Sequence, residues 1–173
     1  NPEHGGFATF WRNVGSTNKG KGGNRGGAFG IGKIVNPMAS RLQTFFGLTI
    51  RNTSKTKDEE AGPYLMGQTM LSLHTYATVR YQAYALWGEV KRQIEHPIES
   101  GSVMKDFIKA TGITRKDEPG LSIVVPFPIS EFNPKSLSDA AILHYFYPII
   151  EGRLVIEIAN GKGEPDRIDE SNI

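Results

Sequence analysis

The chain has 173 residues, 20 of them glycine and none cysteine, with 38% hydrophobic residues and a formal charge of +2. That length and apolar share suffice for one sizeable core, while the lack of cysteine excludes disulfides, thiolate metal sites and cysteine nucleophiles. No apolar run nears the roughly eighteen residues of a membrane span, and no charged-then-apolar leader opens the chain, so the sequence reads as soluble and cytoplasmic.

The first forty-odd residues are polar and glycine-rich, and they are the basic end: Arg12, Lys19, Lys21, Arg25, Lys33 and Arg41 stand against one acid, Glu3. Such a cluster suits a polyphosphate or a nucleic-acid backbone, and its bland reading is a solvated basic loop. The aromatic interleaving of a single-strand groove is missing there, so nucleic acid is a weaker expectation than phosphate. Within this stretch Gly26-Gly27-Ala28-Phe29-Gly30-Ile31-Gly32-Lys33 forms a glycine loop. It runs into an expected amphipathic helix over 34–46, where Ile34, Met38, Leu42 and Phe45 recur at helical spacing. Pro37 is tolerable only near the first turn.

A hairpin follows, with strands over 48–53 and 64–73 joined by the charged turn 53–63. A third strand is expected over 79–90, and a short helix over 103–110 stopped by Gly112. Leu121-Ser122-Ile123-Val124-Val125 is the most strand-like run and reads as a central strand closed by Pro126 and Pro128. Ser136 reads as the hydroxyl cap of a helix that Pro148 stops. A last strand spans 153–158, and 161–173 is a polar, acidic, frayed tail.

The glycine loop has two nucleotide readings. Gly27 to Lys33 fits the P-loop pattern until Ile34, which replaces the hydroxyl that holds magnesium. A P-loop also follows a buried strand, and 15–25 is too polar for one. In the alternative, glycines close a polar lid over the nucleotide and main-chain N–H groups at the helix start face its phosphates. A flexible connector is the third reading.

The run Phe10-Trp11-Arg12-Asn13-Val14-Gly15-Ser16-Thr17-Asn18-Lys19, the glycine-rich stretch after it, and Gly27-Ala28-Phe29-Gly30-Ile31-Gly32 resemble the lid and second glycine box of the GHKL ATPases. That family comprises gyrase, the ninety-kilodalton heat-shock chaperone, sensor histidine kinases and MutL. The glycine spacing is most similar to the chaperone branch. Lys33 and the continuation from Ser40 to Thr49 resemble bacterial members associated with phage defence.

The resemblance implies a Bergerat-type ATP-binding fold: α+β, a two-layer sandwich of a mostly antiparallel mixed sheet with helices on one face, its N-terminal part missing. Residues 1–26 would be the lid, 27–47 the glycine box and helix, 48–130 the sheet with an inserted helix, 131–160 a helix and strand, and 161–173 the tail. Gly27, Phe29, Gly30, Ile31, Gly32 and Lys33 would bind phosphates, with Ser16, Thr17 and Lys19 as lid contacts. The family's late strand opens Gly-Thr-x-Ile. Here Gly120-Leu121-Ser122-Ile123 puts leucine at the threonine position and leaves Ser122 as the adenine-side substitute.

The upstream Glu and Asn helix and the Asp-x-Gly-x-Gly loop of the family do not occur in this chain. It therefore resembles the later portion of a longer ATPase domain, expected to be inactive alone, with no catalytic residue and no metal ligand of its own. ATP is the implied cofactor, with Mg2+ only in the complete domain. The implied partners are nucleotide and the rest of its own longer chain, a homodimer being compatible and a membrane not expected. The alternative is a non-enzymatic interaction or nucleic-acid-binding module that retains the fold. His4, His74, His96 and His144 show no ligand spacing.

Overall fold

The computed structural model describes residues 11, 32–51, 62–161 and 163–173. They form an α+β chain with a mostly antiparallel sheet and a few helices, divided into two compact units, Asn1–Phe127 and Pro128–Ile173.

In the first unit a 3-10 turn, Gly32–Ile34, runs into α1 (Val35–Met38). The helix expected through residue 46 stops here. Ala39 N–H closes on Val35 O at 2.9 Å and Ser40 N–H on Pro37 O at 3.0 Å. Ser40 Oγ then donates to Pro126 O at 2.6 Å and accepts Leu42 N–H at 3.1 Å, which turns the chain out of the helical path. Residues 44–50 become a strand because Phe45 and Phe46 each find a core on opposite faces of a sheet, and tertiary packing overrides a helical period.

That strand is β1 (Thr44–Ile50), antiparallel to β2 (Tyr64–Met70) from Thr44↔Thr69 to Thr49↔Tyr64. The expected hairpin is present, with β1 starting four residues earlier than expected and the turn falling outside the described residues. The single strand expected over 79–90 is three short ones: β4 (Val79–Tyr81), β5 (Tyr84–Trp87) and β6 (Glu89–Lys91). β4 pairs with β3 (His74–Tyr76), and β6 with β7 (Ile94–His96), as two-stranded ribbons. Their turns place both central residues at positive φ, Ala77 at 44° and Thr78 at 71°, Arg92 at 53° and Gln93 at 62°. This is the primed geometry that suits a tight hairpin.

β8 (Gly120–Val124) pairs antiparallel with β1, from Ile50↔Gly120 to Phe46↔Val124. Among the described residues the sheet order is β5-β2-β1-β8, so there the strand expected at the centre lies at an edge. Its β-branched run alternates half-buried and exposed positions rather than being buried on both sides.

Side chains along β1 go alternately to the two faces. One face holds Leu48, Leu65, Ile98 and Met104, with Phe46, Phe107 and Ile108 against them. Its cover is α2 (Ser102–Thr111), which ends where expected: Gly112 is left-handed at φ 68° and its N–H reaches Ile108 O at 3.0 Å. The other face holds Trp11, Phe45 and Met66. Trp11 and Phe45 stack with centroids 5.3 Å apart and planes at 11°. Glycine lets an aromatic ring approach the backbone on both faces. A Cβ on Gly47 would sit 3.0 Å from the Trp11 ring, and one on Gly67 2.6 Å from the Phe46 ring.

The second unit holds α3 (Pro134–Ile150), β9 (Ile156–Ile158) and β10 (Asp166–Ile168), the two strands antiparallel. The cap is Asn133, whose Oδ1 accepts Ser136 N–H at 3.1 Å. Ser136 is therefore inside the first turn rather than the cap, and Pro134 takes the first helical position. Pro148 lies within the helix, which continues to Ile150. Ala141, Ile149 and Ile168 form the core, with Leu154, Ile156 and Ile158 around it. The end expected to fray carries β10, and Ile168 is the apolar anchor that the polar composition concealed.

Asp169 follows β10 and accepts hydrogen bonds from Ser171 Oγ at 2.6 Å, Ser171 N–H at 3.0 Å and Arg167 Nε at 2.7 Å. The Ser171 hydroxyl, then Arg167, hold its carboxyl at about 2 against an ordinary 3.8. Because the folded value is depressed, the stabilisation is present above the unfolded value and is lost as pH falls through 3.8 toward 2. Amide protection factors of β9 and β10, taken against the intrinsic exchange rate at each pH, are expected to fall across that window, and Asp169→Asn is expected to flatten the pH response.

Candidate functional site: the exit of the glycine box

Of the residues expected to contact phosphate, Gly32 and the backbone of Lys33 are described. Gly27, Phe29, Gly30, Ile31, Ser16, Thr17, Lys19 and the Lys33 side chain lie outside the described residues. Gly32 is exposed at the start of the 3-10 turn, and a Cβ built on it meets no atom of the described residues within 4 Å. Neither the 3-10 turn nor α1 has an acid in its first turn, so no carboxylate there opposes an anion. The two short helical pieces have 3 and 4 residues. So brief a helix develops little macrodipole, and an anion beside Gly32 would depend on individual N–H groups and on the charge of Lys33.

The exit of the glycine box is pinned. Pro37, Ala39 and Ser40 are buried, and beside the Ser40 bond to Pro126 the Arg41 N–H donates to Phe127 O at 2.9 Å. These bonds tie the segment leaving Gly32 to the residues just beyond β8. The sequence shows no motif for this contact, since it joins positions 86 residues apart.

Ser122 lies on β8 opposite Leu48, hence on the face covered by α2. Its Oγ accepts Arg115 Nε at 3.2 Å. Arg115 Nη1 also donates to Glu118 O at 3.0 Å and Pro119 O at 3.2 Å, and the guanidinium crosses Gly120, where a Cβ would lie 2.5 Å from Nη1. Backbone N–H groups of Glu118 and Lys116 hold the Glu118 carboxyl below its ordinary value. Leu121 and Ile123 are on the opposite face, opposite Thr49 and Gly47, where Trp11 packs. The structure thus does not bring Ser122 to the face that carries Trp11.

Trp11 is the residue sequence reasoning passed over as a shaping element. It is 6% exposed, and its carbonyl accepts Gln68 Nε2 at 3.2 Å. The available signal was a Trp beside Phe10 in an otherwise polar, glycine-rich stretch.

The described histidines are separate. His74 stacks on Tyr81 with centroids 5.3 Å apart, His96 is half-buried on β7 and His144 is exposed on α3. Among the described residues no three His, Asp or Glu side chains converge as metal ligands, and no helix is long and apolar enough to cross a membrane. No family model, curated protein or solved structure matches the chain.

Proposed function

We propose that the chain is the ATP-binding later portion of a GHKL-type ATPase domain, with a Bergerat-type arrangement. Its glycine box binds nucleotide phosphates and couples them to conformational change in a longer protein. The observation that carries this reading is that Gly32, exposed and with no described atom within 4 Å of a Cβ built on it, heads a segment hydrogen-bonded to the residues just beyond β8. An anion can approach the main chain there, and a shift of the glycine box is felt by the sheet. The order of glycine-rich segment, antiparallel strand pair, glycine-opened strand and later helix supports the same reading.

In this arrangement the N–H groups of Phe29, Gly30, Ile31 and Gly32 and the ammonium of Lys33 take the phosphates. Ser16, Thr17 and Lys19 close over them. The hydroxyl of Ser122, already engaged by Arg115, contributes little to the adenine. Mg2+, which would spread phosphate charge, belongs to ligands in the complete domain. Hydrolysis requires a positioned water and that metal, so the chain's own contribution is binding.

Calorimetry of the full-length protein with a non-hydrolysable ATP analogue and magnesium is expected to show saturable binding. Lys33→Ala should weaken it by about tenfold, the loss of one charge-assisted contact. Absence of binding, or binding that Lys33→Ala leaves unchanged, would favour a non-enzymatic interaction module.

A further inference from the structure

We propose that Asn160 is a site of spontaneous deamidation, where the side-chain amide gives way to a carboxylate with water as the one co-reactant. Of the nine asparagines in the chain it alone precedes glycine. Asn1, Asn36 and Asn133 precede proline, which has no N–H to serve as the nucleophile. Asn172 precedes the β-branched Ile173, and its amide is held at both ends, Oδ1 accepting Asp169 N–H at 3.0 Å and Nδ2 donating to Arg167 O at 2.7 Å.

The fold puts the Asn160-Gly161 pair where the reaction needs it. The pairing of β9 with β10 ends at Ile158↔Asp166, so both residues lie in the connecting loop 159–165, and both are exposed. Gly161 is at φ 77°, a conformation that glycine adopts without strain. A Cβ built on it meets no atom of the described residues within 4 Å. The flank of the attacking nitrogen is thus open, and ring closure asks for rotation of loop backbone rather than disruption of a strand.

The main-chain nitrogen of Gly161 attacks Cγ of Asn160. The N–Cγ bond forms, the Cγ–Nδ2 bond breaks, and Nδ2 leaves as ammonia with the proton that the Gly161 nitrogen gave up. Water then opens the cyclic imide. Attack at Cγ breaks the new bond and yields aspartate, while attack at the Asn160 main-chain carbonyl breaks the original peptide bond and yields isoaspartate. Neither step changes an oxidation state. The chain loses one from its formal charge of +2, and a loop that already carries Glu164 gains a second carboxylate. The isoaspartyl form also runs the main chain through the former side chain, which lengthens the connection between β9 and β10.

The test is peptide mapping of the full-length protein during incubation at neutral pH without nucleotide, which makes it independent of the nucleotide reading. The tryptic peptide 154–162 holds Asn160 as its one side-chain amide. It is expected to gain about 1 Da with time, one ammonia lost and one water added, and to split into two isomers on chromatography. Gly161→Ala should slow the gain by about tenfold or more, because a Cβ crowds the attacking nitrogen, with circular dichroism checking that the variant folds. Asn160→Gln keeps the glycine, closes an imide only through a larger ring, and should remove the acidic form seen on isoelectric focusing. Three results overturn the proposal: no mass gain in the folded protein under conditions where the isolated peptide 154–162 converts, a gain that the folded Gly161→Ala variant shows equally fast, or an acidic form undiminished in Asn160→Gln.

Discussion

Phe45→Ala is expected to lower stability by about 3–5 kcal/mol, the range for removing a fully enclosed aromatic ring from a core. Phe45 has 0% exposure on the central strand β1, and its ring is the platform on which Trp11 stacks. The cost combines the transfer of the lost ring with the cavity left beneath the indole, which cannot collapse because the strands on either side fix the backbone. Urea unfolding should show a lower midpoint with an unchanged slope. The emission of Trp11 should also move to the red in the folded variant, since its supporting face has gone. A midpoint shift worth less than about 1 kcal/mol would show that Phe45 does not carry this side of the sheet.

Ile149→Ala should have the second-largest effect, about 2–5 kcal/mol. Ile149 is fully enclosed near the end of α3, with Ala141 and Ile168. The unit over 128–173 is small, and a small unit buries too little apolar surface to lose one of three central side chains cheaply. Hydrogen exchange is the sensitive measurement. Protection of the α3 amides and of β9 and β10 should fall together, because the isoleucine is what the helix and the hairpin share. Loss confined to the last turn of α3 would contradict that shared role.

The elements whose stabilising contacts are local were legible in the sequence. The helix α2 announces itself through Met104, Phe107 and Ile108 at helical spacing and through Gly112, which supplies the left-handed end. The β1–β2 hairpin is readable from two apolar runs around a charged turn, and α3 from its apolar composition. Its start lies three residues before the hydroxyl of Ser136, at Asn133-Pro134, a cap followed by a proline at the first helical position.

What could not be read depends on distant partners. The helix after the glycine box ends where Ser40 finds the carbonyl of Pro126, and nothing near Ser40 in sequence announces it. The ribbon turns use Ala77-Thr78 and Arg92-Gln93 at positive φ in place of the Asn-Gly or Asp-Gly pairs that mark such turns. β8 has the composition of a central strand, but composition does not say how many neighbours a strand has. The same holds for the site. The glycine run around Gly32 is visible in the sequence, whereas the face taken by Ser122 is set by the Leu48↔Ser122 register. A slip of one residue would reverse it.

Gly47 and Gly67 have a consequence for how the chain can vary. They sit diagonally on β1 and β2, one vacating space for the Trp11 indole and the other for the Phe46 ring. Each forms a lock-and-key couple with an aromatic, on opposite sides of the same thin spot. Divergence should therefore be paired: a descendant that gains a methyl at 47 is expected to shift or shrink residue 11, and one that gains it at 67 to shift or shrink residue 46.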